Sequence, residues 1–192
     1  INIIYLMPEL KGASGGGKVI YNHSSILNKI NKNIKSKVVH LKKKFSYKVE
    51  LSLAKKLSFL NKFEEGWDAN KMKISKNFLP AKSWYNKKIH IKNNINFNEN
   101  EDFIIIPEIM AHFAVDLDFK KRNIKYAIFV QGSFHMKSSG NFNKLKKAYD
   151  NANLVISTSD YSLNFIKKIF PKFKKNIFKI SLSINLPTTV NM

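Results

Sequence analysis

A run of three glycines stands between a short apolar segment and a helical pattern near the start of the chain. Residues 3–7 are apolar, Pro8 follows them, and Gly15, Gly16 and Gly17 come shortly afterwards. Beyond the glycines, apolar residues recur at helical spacing. A strand, a glycine-rich turn and a helix open a βα unit, in which unpaired amides and the positive end of the helix dipole point into the turn. The pattern therefore predicts a turn that binds a ligand, and phosphate is the group that suits it.

The rest of the chain repeats this alternation of strand and helix. Further strands are predicted over residues 37–41, 103–106, 126–130, 154–157 and 177–184. Helices are predicted over residues 19–34, 109–119, 142–151 and 161–170, the last one after a Ser/Thr/Asp capping cluster. Residues 42–100 are rich in Lys and Asn, and they are expected to form helices and loops over one sheet edge, with a helix over 49–63 and a short strand over 88–91. Strands that alternate with helices predict an α/β, Rossmann-like open sheet, mostly parallel, with helices on both faces.

Composition narrows the class of protein. The chain of 192 residues is 44% hydrophobic, which is enough for a sizeable core, and it contains no cysteine for a disulfide or a thiolate metal site. Its net charge is +21, but Arg122 is the only arginine among many lysines. Because phosphate and base recognition usually favours the arginine fork, this charge disfavours a nucleic-acid partner and favours a solvated basic surface. An anionic membrane surface stays open as a partner.

Three interpretations of the glycine turn compete on the residues alone. Gly12, Gly17 and Lys18 match a P-loop, but Val19 stands where Ser or Thr would ligate Mg²⁺. A dinucleotide site needs a different glycine spacing and an acidic residue at the end of the second strand, where residues 40–42 are His-Leu-Lys. A turn with a purely structural role needs only room for the strand and the helix to pack. None of the three is excluded at this point.

Four segments together resemble a known enzyme family. Residues 4–8, the glycine run and a helix that contains His23 look like the opening of GT-B fold glycosyltransferases, in particular glycosyltransferase family 4. Residues 102–108 resemble the "D-hydrophobic-P-E" strand of that family, and residues 127–132 resemble the strand that leads into its acceptor site. Residues 152–159 resemble its "A-D-x-hydrophobic-S-x-S" segment. The resemblance touches both ends and the middle of the chain and leaves residues 42–100 uncovered.

The resemblance implies an N-terminal, acceptor-side domain over residues 1–186, with residues 187–192 at the start of an interdomain linker and the C-terminal donor domain missing. It implies transfer of a sugar from a nucleotide-sugar to a glycan or a lipid-linked acceptor, with no metal and no other cofactor. Gly15, Gly16 and Gly17 would then line the donor diphosphate. The isolated chain is expected to be inactive, since it carries half of the site. The implied location is cytoplasmic and peripheral at the inner face of the membrane.

The same resemblance points to residues on the acceptor side. It implies acceptor binding by Glu108, His112, Gln131 and Gly132, and it offers Gln131, His135 and Glu108 as catalytic candidates. Many family members have a His at the position of Gln131, and glutamine can bond a sugar hydroxyl but cannot act as a general base. Each of these side chains also fits a packing, capping or surface role. A non-catalytic module for a glycan or an anionic surface, and a P-loop nucleotide-binding protein, remain alternatives.

Overall fold

The computed structural model describes residues 1–8, 14–41, 44–48, 63–66, 97–133, 135–136, 141–171 and 177–181. The strands are β1 (Asn2–Pro8), β2 (Lys35–Leu41), β3 (Lys44–Lys48), β4 (Phe63–Gly66), β5 (Asp102–Pro107), β6 (Lys125–Val130), β7 (Leu154–Ser157) and β8 (Ile177–Lys179). The α-helices in the described part are α1 (Gly15–Ile30), α2 (Phe113–Asp116), α3 (Phe142–Asn151) and α4 (Asp160–Ile169), and a 3₁₀ turn spans Glu108–Met110.

Six strands form one parallel sheet in the order β2-β1-β5-β6-β7-β8. This architecture confirms the predicted Rossmann-like α/β fold. The chain runs from β1 outward to β2 and later returns to β5 on the other side of β1, so the strand order reverses between β1 and β5. Such a switch point opens a crevice at the carboxyl ends of the strands, where ligands bind in sheets of this kind.

Both faces of the central strands are buried, and the alternation along β5 shows how. Ile104 and Ile106 pack with α2, α3 and α4, whereas Ile105 packs on the opposite face with Ile20 and Tyr21 of α1. Because side chains alternate across a strand, a strand buried on both faces needs an unbroken apolar run. This requirement explains why the central strands could be recognised in the sequence as continuous apolar segments.

The first helix is defined at both ends by polar side chains. Ser14 is its N-cap, with Oγ accepting the amide of Gly17 at 3.3 Å. Near its other end, Asn28 donates to the carbonyl of Ser36 at 2.9 Å and accepts the Ser36 amide at 2.7 Å. The helix stops at Ile30, short of the predicted end at residue 34, because Asn31 adopts an extended backbone and its side chain accepts the amide of Asn33 at 2.8 Å.

Two sequence-based predictions are wrong. Residues 109–119 do not form one helix: the 3₁₀ turn and the four residues of α2 replace it, and Asp118 adopts a φ of 51°, which breaks the helical backbone. Residues 42–100 were expected to hold helices and loops over a sheet edge, but β3 and β4 pair there as an antiparallel ribbon. Phe63 begins β4, and the rest of the predicted helix 49–63 and the strand 88–91 lie outside the described residues.

The other predicted elements match the structure within a few residues. The helix predicted over 142–151 is α3, and Ser159 caps α4 by accepting the amide of Ser162 at 3.2 Å. The last predicted strand is seen as β8, while the part of it beyond residue 181 lies outside the described residues, as do residues 187–192. In the described part of the chain, no helix has the length and apolar character needed to cross a membrane.

Removal of one buried hydroxyl tests the packing of α3 on the sheet. Tyr126 in β6 donates its hydroxyl to the carbonyl of Ala148 in α3 at 2.5 Å. We expect Tyr126→Phe to lower the free energy of unfolding by about 1 kcal/mol, because one buried hydrogen bond is lost while the ring still packs. Tyr161→Phe is the control, since that side chain is 57% exposed. Urea denaturation measures both, and equal stabilities for the two variants would contradict the packing described here.

Candidate functional site

Three loops meet at the carboxyl edge of the sheet. The start of α1 follows β1, Glu108 follows β5, and Gln131 follows β6. These three strands are neighbours in the parallel sheet, so their carboxyl ends lie side by side. The structure thereby brings together the glycine turn and two of the predicted acceptor-side residues at the switch point.

The start of α1 presents backbone donors. Ser14 accepts the amide of Gly17 through its side chain and the amide of Lys18 through its carbonyl, at 3.3 Å and 2.9 Å. Within the described part of the chain, the amides of Gly15 and Gly16 have no acceptor. Gly15 is exposed and Gly16 is partly exposed. Two unpaired amides at the positive end of a helix form a seat for an anion.

Gln131 lies directly against this helix start. Its Nε2 donates to the carbonyl of Gly16 at 3.0 Å. Its Oε1 occupies the space that a Cβ at position 16 would need, so only glycine fits there without displacing the carboxamide. The opposite orientation of the carboxamide would place two oxygens together, which fixes the assignment of Nε2 and Oε1. One amide proton of Gln131 is therefore used inside the protein.

Glu108 lies beneath the loop that follows β6 and not in the crevice itself. Its side chain is 3% exposed, and its two oxygens accept the amides of Gln131 at 3.2 Å and of Gly132 at 2.9 Å. Burial raises the pKa of this carboxyl to about 7, against the opposing effect of the backbone hydrogen bonds from Gln131, Glu108 and Gly132. The carboxylate thus binds its own protein backbone, although the sequence had suggested acceptor binding or catalysis.

The two candidate histidines have different surroundings. His135 is exposed, its amide donates to the carbonyl of Gly132 at 3.0 Å, and its Cδ2 lies 3.0 Å from the position of a Cβ on Gly132. The absent side chain of Gly132 therefore gives the imidazole its room. His112 is only 5% exposed and packs edge-on against Phe113, with ring centroids 5.0 Å apart. Of the two imidazoles, His135 is the one that solvent or a ligand can reach.

Three residues near the site, Ser14, Tyr149 and Thr158, were not predicted as site residues from the sequence. Thr158 donates its amide to the carbonyl of Val130 at 3.2 Å, which ties the end of β7 to the end of β6. Tyr149 of α3 is fully buried, and burial together with the charge of Glu108 raises the pKa of its hydroxyl. Ser14 carries a recognisable signal, a serine just before a helical pattern, whereas no spacing in the sequence connects Tyr149 with Glu108.

The chemistry of the site follows from these groups. The free amides of α1 suit a phosphate or another anion, the carboxamide of Gln131 offers hydrogen bonds, and the imidazole of His135 can exchange a proton. Among the residues that the structure describes, no three His, Asp or Glu side chains are grouped as metal ligands would be. Glu108 contributes a buried charge that organises the backbone.

A double-mutant cycle tests the contact between Gln131 and Gly16. Gly15→Ala should raise the free energy of unfolding by about 0.5–1 kcal/mol, because alanine favours a helix and nothing lies near its Cβ. Gly16→Ala should fall short of this gain by about 1 kcal/mol, because its Cβ displaces the carboxamide of Gln131 and its hydrogen bond. In a Gln131→Ala background, Gly16→Ala should raise the free energy of unfolding by the full amount expected of Gly15→Ala. Urea denaturation of the four variants measures the coupling, and a zero coupling energy would show that the contact is not formed.

A comparison of pH profiles tests the burial of Glu108. Its folded pKa, about 7, lies above its ordinary value of 4.5, so the folded state holds this proton more tightly than the unfolded state. The contribution of Glu108 to stability is therefore greatest below pH 4.5 and falls as the pH rises through 7. We expect the free energy of unfolding, relative to Glu108→Gln, to decrease by about 2–3 kcal/mol over this range.

Subtracting the Glu108→Gln profile from the wild-type profile removes the effect of the imidazoles of His40 and His23. Burial lowers the pKa of His40 to about 4 and also lowers that of His23, so both destabilise the fold as the pH falls, in wild type and variant alike. The exposed Glu101, at the other end of β5, supplies the control Glu101→Gln, whose profile should run parallel to that of the wild type. A Glu108→Gln profile parallel to both would contradict the raised pKa.

Comparison with known proteins adds no assignment to this geometry. No protein-family model, no curated protein and no solved structure matches the chain. The likeness of four segments to glycosyltransferases therefore remains a resemblance between short motifs, and any function has to be argued from the fold and from the residues at the switch point.

Proposed function

We propose that this chain is the acceptor-side domain of a GT-B fold glycosyltransferase, similar to family 4, that moves a sugar from a nucleotide-sugar to a glycan or lipid-linked acceptor. One observation carries the proposal: the amides of Gly15 and Gly16 have no acceptor among the described residues, and Gly16 contacts Gln131 at the switch point of the sheet. An anion seat and a hydrogen-bonding loop in one crevice are what the transfer of a sugar from a diphosphate requires.

The role of the donor side is to stabilise the negative charge that develops during the reaction. When the bond between the sugar and the diphosphate breaks, negative charge grows on the leaving phosphate oxygen. Backbone amides that already point at this position stabilise the charge without rearranging. The exposed Lys18, in the first turn of α1, adds a positive charge near the same end of the helix. In this proposal the remaining contacts to the nucleotide-sugar come from a donor-binding domain beyond the residues described.

Among the described residues of the acceptor side, His135 is an exposed side chain with a proton-accepting nitrogen. An acceptor hydroxyl loses its proton as its oxygen bonds to the sugar carbon, and an imidazole is well suited to receive it near neutral pH. His135 is exposed and packs on Gly132, immediately after Gln131. We assign this proton to His135 and hydrogen bonding of the acceptor to Gln131. The many exposed lysines suit a place beside anionic lipid at the inner face of the cytoplasmic membrane.

A titration followed by NMR tests the donor side on this chain. We expect UDP or GDP, added in the presence of EDTA, to shift the amide signals of Gly15 and Gly16 and to leave those of Lys29 and Ile30 unchanged. Gly15→Asp should abolish the shifts by charge repulsion while it stabilises the helix, since an acidic residue suits a helix N-terminus. Gly15→Ala is the neutral control and should keep binding.

Two outcomes of the titration would weigh against a glycosyltransferase. If no nucleoside diphosphate shifts the signals of Gly15 and Gly16, the anion seat has another ligand or none. If binding depends on Mg²⁺ and favours a triphosphate, the P-loop alternative gains and this proposal fails.

Turnover tests the acceptor side. In the protein that carries both domains, we expect His135→Ala to lower kcat by about 10²–10⁴-fold and to leave the KM for the nucleotide-sugar nearly unchanged, because the imidazole acts on the acceptor proton. Release of sugar-labelled product from a panel of nucleotide-sugars and acceptors measures both constants. An unchanged kcat for the variant would remove His135 from the mechanism.

A further inference from the structure

We propose that Glu108 is a positioning residue: its buried carboxylate fixes the turn after β6, and the Gln131 side chain carries this constraint to Gly16 at the ligand-binding end of α1. The role of this end of α1 in ligand binding rests on the proposed function, whereas the mechanical connection does not. Glu108 is 3% exposed, and both of its oxygens are used by the backbone, so it meets no substrate directly.

The first link is a pair of hydrogen bonds to consecutive residues. Oε2 of Glu108 accepts the amide of Gln131 at 3.2 Å, and Oε1 accepts the amide of Gly132 at 2.9 Å. One rigid carboxylate that accepts two successive amides orients the peptide group between them. Bonds to a charged acceptor are also stronger than those between neutral groups. The turn is thereby fixed at the residue whose side chain continues the connection.

The second link crosses from the loop to the helix. Nε2 of Gln131 donates to the carbonyl of Gly16 at 3.0 Å, and the carboxamide fills the space beside the Gly16 Cα. Since Gly16 bears one of the two free amides of the anion seat, a shift of Gln131 moves or releases that amide. The connection thus joins the end of β5 to the start of α1 by way of the loop after β6.

Protonation of Glu108 would weaken the first link. A neutral carboxyl has a hydroxyl in place of one acceptor oxygen, and this hydroxyl would face an amide that is itself a donor. Burial keeps the pKa of Glu108 near 7, so this change falls within the neutral range. Tyr149 of α3 interacts electrostatically with the carboxyl, and its pKa is raised well above its ordinary value, so it stays neutral there. The imidazole of His135 lies within 4 Å of the same Cβ position on Gly132 as Oε1 of Glu108 does. The signals of the connected groups should therefore titrate together.

An NMR titration of the uniformly ¹⁵N-labelled chain, without nucleotide, tests this inference. We expect the backbone amides of Gln131, Gly132 and Gly16 and the side-chain amide of Gln131 to shift with one common midpoint near pH 7. In Glu108→Gln the common titration should be lost, and the Gly16 signal should move from its wild-type position. Glu101→Gln, at the opposite end of β5, should change none of these signals.

A second variant separates the two links without touching the buried carboxyl. In Gln131→Ala we expect the amide of Gly132 to keep its titration and that of Gly16 to lose it. This result decides the matter even if Glu108→Gln fails to fold. The proposal is overturned if the Gly16 signal does not follow the midpoint of Gly132 in the wild type, or if it still follows that midpoint in Gln131→Ala. Because no nucleotide is present, failure of the glycosyltransferase proposal cannot produce either result.

Discussion

Two backbone amides converge on one buried carboxylate, and the shape of the crevice depends on that interaction. Burial of Glu108 disfavours its charge, while hydrogen bonds from Gln131 and Gly132 favour it, and burial is the larger effect. The outcome is a carboxyl whose pKa lies near 7 and whose charge orients the loop after β6. The side chain of Gln131 then donates a hydrogen bond to the carbonyl of Gly16, which connects the loop to the start of the helix.

The parallel sheet supplies the frame in which this interaction is possible. Strands β1, β5 and β6 are adjacent and parallel, so the segments that follow them emerge at one edge. The reversal of strand order between β1 and β5 places α1 on one face and α2 to α4 on the other, which leaves the crevice between them. Residues that are 115 positions apart in sequence, Gly16 and Gln131, meet there as a consequence of topology.

Much of the fold could be predicted from the sequence because strands buried on both faces appear as apolar runs and helix starts carry capping residues. Residues 154–157 and 142–151 match β7 and α3 for these reasons. The segment 109–119 failed because its apolar residues are all needed in the core, which a 3₁₀ turn, α2 and the turn at Asp118 achieve without a continuous helix. The meeting of Gln131 and Gly16 at one edge follows from the position of each at a strand end. The burial of Glu108 and its electrostatic interaction with Tyr149 of α3 could not be predicted, because no spacing in the sequence connects these two residues. The roles of these residues stay predictions.

A crystal structure of the chain with UDP bound would show whether the start of α1 and the Gln131 loop form the seat of a nucleoside diphosphate. We predict diphosphate oxygens within about 3 Å of the amides of Gly15 and Gly16, a hydrogen-bond distance. Gln131 and Glu108 should keep their contacts with Gly16 and Gly132. A diphosphate bound at another edge of the sheet, with both glycine amides still facing solvent, would contradict it.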